Sequence, residues 1–160
     1  MTPAAARQAI RDRILALSTT SAYSSSSFAL PATWQESRRP LMPELSPTTL
    51  APLAFTVDDR EHRAQQARPV ADGGRVDTPV TVRFLYPLRA TGPEMDDWDR
   101  SALAAQALWD HLLHTDWEGT AALDMTLELD PSRLFTRRIV GTSEDWILAE
   151  VYLRVFYPLS

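Results

Sequence analysis

From Ile147 to Tyr157 the chain alternates without a break: Ile147, Ala149, Val151, Leu153, Val155 and Tyr157 form one row, and Leu148, Glu150, Tyr152, Arg154 and Phe156 the other. The first row is uniformly apolar, whereas the second mixes polar groups with large aromatics. Side chains of an extended strand point to opposite faces with a period of two, so residues 145–157 are predicted to be one long strand with a face in a core. The chain ends at Ser160, and the expectation is a small sheet finished by its last element. This strand carries no catalytic signature.

The rest of the chain supplies partners for such a strand. Ala6, Ile10, Ile14 and Leu17 recur at helical spacing, with Pro3 in a first turn that tolerates it, so a helix is predicted from Pro3 to Leu17. Residues 18–52 are Ser-rich and then Pro-rich and read mainly as loop, with a possible short strand from Phe28 to Trp34 interrupted by Pro31. Leu53, Phe55 and Val57 alternate as a strand, and Val80, Val82, Phe84 and Tyr86 as another. Between them, residues 58–77 are polar, hold Arg60, Arg63, Arg68 and Arg75, and have almost no large apolar residue. Connections of that length are usually functional or disordered, and a long, mobile β-hairpin arm is expected.

After Gly92-Pro93, either Asp96 or Asp97 can cap a second helix whose core stripe is Leu108 and Leu112, supported by Ala104, Ala105, Ser101 and Trp109. Leu123, Met125, Leu127 and Leu129 then alternate as a strand; Asp130-Pro131-Ser132 turns the chain, and Leu134 to Val140 is a weaker strand. Strands that follow one another without helical crossovers favour a single α+β domain over residues 1–160. The expected form is a mixed or antiparallel sheet of about four to five strands, with both helices on one face.

Composition narrows the function classes. With 160 residues the chain can bury a core without metals or disulfides, and the absence of cysteine removes thiol catalysis, disulfides and Cys-ligated zinc. No segment has the run of apolar residues a signal peptide or membrane span needs, so a soluble, intracellularly made protein is expected. A net charge of −5 argues against general nucleic-acid binding, which requires a basic surface. All 16 basic residues are arginine; a GC-rich coding sequence explains this simply, although arginine also suits interface ion pairs.

Constellations that could carry chemistry are weak. His111 and His114, near Asp110, Asp116 and Glu118, have a spacing that could share a metal but lack the His-Glu-x-x-His pattern. Asp96, Asp97 and Asp99 could form a hard-cation or acid–base site, but carboxylates at a helix start are more often caps. Glu150 and Arg154 lie about 13 Å apart along a strand rising ~3.3 Å per residue, too far to pair, and are placed to meet neighbouring strands or another subunit. Arg137-Arg138 reads as a solvated edge. Among the tryptophans, Trp34 and Trp98 are expected to be partly exposed. No nucleophile elbow and no glycine-rich phosphate loop occurs. No catalytic residue, cofactor or metal is therefore assigned.

The order of elements resembles a known family. The N-terminal helix with Arg7-Gln-Ala-Ile-Arg-Asp-Arg-Ile, the hairpin with a long polar tip, the acidic-capped second helix, and the terminal strand Trp146-Ile-Leu-Ala-Glu-Val-Tyr-Leu-Arg-Val-Phe-Tyr are similar to tail terminator proteins of long-tailed bacteriophages, the minor tail protein U-like family. The resemblance covers most of residues 3–158 in element order and length. The Ser/Pro-rich segment and the polar arm are longer than in small members.

The resemblance implies a structural virion protein without enzymatic activity, found at the neck end of the tail and assembled in the host cytoplasm. It implies a hexameric ring that caps the tail tube, stops its polymerisation and offers a head-joining surface. Its partners would be copies of itself, the major tail tube protein and a head-completion or connector protein, with DNA passing through the lumen without specific binding and no membrane involved. On this reading Arg60, Arg63, Arg68 and Arg75, with Glu150 and Arg154, make subunit or tube contacts, and deleting residues 61–75 would leave a folded monomer that forms no ring. The alternatives are a head–tail connector of the same neck, a small ferredoxin-like ligand-binding or metal-dependent enzyme domain using the histidine and aspartate clusters, and a regulatory dimer paired through its last strand.

Overall fold

The computed structural model describes residues 3–17, 30–34, 53–58, 68–70, 75–88, 96–113, 125–130, 135–140 and 146–158. They form an α+β domain with helices α1 (Pro3–Leu17) and α2 (Asp97–Leu113). The strands are β1 (Pro31–Trp34), β2 (Leu53–Asp58), β3 (Arg68–Val70), β4 (Arg75–Pro87), β5 (Thr126–Leu129), β6 (Phe135–Val140) and β7 (Trp146–Pro158).

Two strands of 13 residues each, β4 and β7, pair antiparallel along their whole length, from Arg75 opposite Pro158 to Pro87 opposite Trp146. This ladder is the spine of the sheet. Each of its outer edges is shared by two shorter strands lying end to end. On β4, β2 pairs opposite residues 81–84 and β3 opposite residues 75–77. On β7, β6 pairs opposite residues 146–151 and β5 opposite residues 153–156. At the join between them the Asp130 amide donates to the Tyr152 carbonyl at 3.0 Å. β1 adds the one parallel pairing among the described strands, alongside β2, with a register irregularity between Pro31 and Thr33.

Both helices cover one face. Ala6, Ile10, Ile14 and Leu17 of α1 and Ala104, Ala105, Leu108 and Leu112 of α2 are buried against Phe55, Val57, Val82, Phe84, Ile147, Val151 and Leu153. Large apolar side chains fully buried in this way contribute roughly 1.5–3 kcal/mol each. α1 lies over β1 and β2, and α2 over β7, β4 and β5. The apolar row of the terminal strand is the core row, and its first residue of regular pairing is Trp146.

The sheet has more strands than the sequence pattern predicts because both spine edges are occupied by two short segments. β4 also begins at Arg75, five residues before the apolar alternation becomes readable at Val80. Part of the expected arm is therefore sheet: Asp58 ends β2, Arg68–Val70 is β3, and Arg75–Asp77 opens β4. Residues 59–67 and 71–74 lie outside the described residues, as do most of 18–52.

Candidate functional site

The face of the sheet away from the helices carries a line of interlocked polar groups. Arg83 of β4 is opposite Glu150 of β7 in the ladder, so both point to the same side. The Arg83 Nε donates to Glu150 Oε1 at 2.6 Å, and its Nη1 to Asp58 Oδ2 of β2 at 2.8 Å. Glu150 Oε2 also accepts from the Tyr152 hydroxyl at 2.9 Å and from the Thr136 hydroxyl at 3.3 Å, so the line crosses four strands. Burial pushes the Glu150 carboxyl up, but the Arg83 and Tyr152 hydrogen bonds and the charges of Arg83 and Arg138 outweigh it, leaving it below the usual carboxylate range. Further along β7, Arg154 is held by Asp77 of β4, whose hydrogen bond keeps the guanidinium more firmly protonated than usual.

A second polar group works on the helix side. Arg137 shares its face of β6 with Phe135 and Ile139, which sit opposite the core residues Val151 and Ile147. Its Nη1 donates to the Trp98 carbonyl at 2.5 Å, and its guanidinium lies 4.4 Å from the Trp98 ring centre. This pins the first turn of α2 to β6. In that turn Asp96 Oδ1 accepts the Asp99 amide at 2.8 Å as a cap, and Asp97, fully buried, pairs with Arg100 at 3.2 Å. At the other end of α2, His111 Nε2 lies 3.0 Å from the Arg13 carbonyl of α1. Burial pushes the His111 imidazole below its ordinary value, outweighing the backbone hydrogen bond.

The expected interface residues are distributed through this frame. Glu150 and Arg154 share a face of β7, and each is tied to a different residue of β4 instead of to each other. Arg68 is in β3 opposite Asp77, and Arg75 opens β4 opposite Val70 and Pro158. Arg60 and Arg63 lie outside the described residues, as do His114, Asp116 and Glu118. Among the described residues no three His, Asp or Glu side chains come together in a metal-holding arrangement. Arg138 is exposed, as read, but Arg137 is not a solvated edge residue: it faces the helix side and bonds α2. Trp34 is half-buried, edge-on to Phe55 and capped by Arg11 at 5.6 Å.

The sequence reading missed Arg83, Asp58 and Asp77 as partners. The available signal was their place on the polar row of strands bound to pair with β7. It also missed that β6 leaves Phe135 and Ile139 38% and 48% exposed; with Leu15 of α1, at 37%, these are the exposed large hydrophobics of the described residues. No described helix is long and apolar enough to cross a membrane. No known protein-family model matches this chain, and comparison with curated protein sequences finds no significant relative.

Proposed function

We propose that this chain is a structural virion protein of the tail-terminator kind, working as a ring of identical subunits that ends a bacteriophage tail tube and presents a surface for joining the head. The observation that carries the reading is how the spine's charged residues are used. Arg83 with Asp58 and Glu150, and Arg154 with Asp77, are paired across strands and so rigidify the sheet, which supports a structural role. Phe135 and Ile139 of the edge strand β6 stand exposed, and an exposed apolar patch suits contact with other protein surfaces. The element order that resembles tail terminators is consistent with the same role.

In this reading the tail tube protein meets one side of the ring and a head-completion protein the other. The polar residues 59–67, with Arg60 and Arg63, are candidates to contact a neighbour at assembly. An acidic subunit also suits a lumen through which DNA moves without sticking. The test is loss of the gene in its phage, followed by electron microscopy of the tails. Over-long tubes are the expected result. Normal tails beside unjoined heads would make the chain a connector, and unchanged virions would end the reading.

A further inference from the structure

The two edges of the sheet differ in a complementary way. At the β6 edge, Phe135 and Ile139 stand exposed beside Trp98, and no described strand pairs with the outer side of β6. β6 is short and carries Arg137 and Arg138, charges of the kind that discourage further strand pairing, but its exposed Phe135 and Ile139 leave an apolar patch on the helix side. The adjoining first turn of α2 adds exposed carboxylates at Asp96 and Asp99, while Asp97 is neutralised by Arg100. At the opposite edge, α1 lies over β1 and β2. Arg7, Arg11 and Leu15 follow one another at four-residue spacing, so they share one side of that helix. The position of Arg11 over Trp34 of β1 fixes that side at the sheet edge. α1 carries Arg7, Arg11 and Arg13 against a single acid, Asp12, which pairs with Arg11 at 2.8 Å, and exposes Leu15.

We infer that the β6 edge, with Phe135, Ile139, Asp96 and Asp99, is a docking surface for a second copy of this chain, received on that copy's Arg7–Arg11–Leu15 stripe. On one side of the subunit an apolar patch, whose Arg137 is taken up by the Trp98 carbonyl and ring, is bordered by the exposed Asp96 and Asp99; on the other, the exposed Leu15 follows Arg7 and Arg11. A contact between two different faces is heterologous, and it propagates from subunit to subunit until the rotation closes a ring. The inference rests on the self-assembly part of the proposed function and assigns the faces that carry it, beyond the arm arginines.

Sedimentation of the purified chain across a wide concentration range tests it. Wild type is expected to shift from monomer to a closed oligomer. The variant Phe135→Asp/Ile139→Asp loses its β6 face and Leu15→Asp/Arg11→Glu loses its α1 face, so each alone stays monomeric. Mixed together they form a one-to-one dimer that grows no further, because one intact pair of faces remains. The milder Phe135→Thr/Ile139→Thr, which keeps strand-forming residues, is expected to weaken association at least tenfold with an unchanged melting temperature, separating the contact from a folding defect. A β6 variant that assembles like wild type overturns the inference. So does dimerisation of the α1 variant alone, which would mean β6 pairs with itself. A wild-type chain that stays monomeric throughout overturns it too and assigns the β6 edge to a different protein. Normal assembly of the variants with over-long tubes on gene loss would refute these faces while leaving the tail-terminator role; ring formation with unchanged virions would do the reverse.

Discussion

At the scale of single residues, Arg83 has the largest predicted effect. It sits between two carboxylates, Asp58 and Glu150, and its side chain is only 15% exposed. Removing a buried partner leaves charge without compensation, which costs more than the pair itself is worth. Arg83→Met is expected to lower stability by about 2–4 kcal/mol, read from denaturant melts. Adding Glu150→Gln to that variant should recover part of the loss, because one orphaned charge disappears. A double variant as unstable as the sum of the singles would show the two groups to be uncoupled.

The same line of groups sets an acid limit. The Glu150 carboxyl is depressed in the fold, so its contribution is fully present above the ordinary carboxylate range and is lost as pH falls through the folded value. His111 acts in a higher window. Its imidazole is also depressed, so the fold favours the neutral form; that stability is present above the unfolded value of 6.5 and lost as pH falls below it. Melting temperatures of wild type should decline between about pH 7 and 5, and His111→Gln should flatten that decline, if the ring is the group that titrates. An unchanged slope in the variant would place the titration elsewhere.

At the scale of elements, β2 and β3 lie on one edge of β4, with Asp58 opposite Thr81 and Arg68 opposite Asp77. The step between these points is four strand residues, about 13 Å, which four or five extended residues can span. Residues 59–67 therefore exceed what the connection needs. Replacing them with about five Gly/Ser residues is expected to keep the melting temperature within a few degrees while impairing assembly, read by sedimentation and by tube capping. The wider deletion of residues 61–75 is a poorer test, since it removes β3 and the start of β4. If the shortened chain unfolds, the connection is structural and the arm reading fails.

The elements also show which information a sequence of this kind contains. The core rows of β2, β4 and β7 and the buried stripe of α1 were legible because each is a periodic pattern that only one face satisfies. Periodicity names the buried face but not the neighbour. That β5 and β6 share an edge of β7, or that Arg83 finds both Asp58 and Glu150, depends on register, which is set by pairing across distant chain segments. β3 was hidden because three residues, Arg68, Pro69 and Val70, are too few to alternate. Arg137 was misread because two adjacent arginines in a strand point to opposite faces, and here one reaches α2 while the other meets solvent.

At the scale of the whole molecule, the charge layout makes head-to-tail and edge-to-edge association respond oppositely to salt. Docking the β6 edge onto the α1 stripe brings Asp96 and Asp99 towards Arg7 and Arg11, so screening weakens the attraction. The contact of Phe135 and Ile139 with Leu15 is not screened, so association should not vanish. Between about 0.05 and 0.5 M salt the dissociation constant is expected to rise roughly tenfold and then level off. Two β6 strands meeting each other would instead bring the Arg137–Arg138 pairs of both copies onto one edge. Screening would then strengthen the complex. Sedimentation velocity at a fixed protein concentration and several salt concentrations separates the two by sign alone, and association that tightens with salt would exclude the head-to-tail arrangement a ring of this subunit requires.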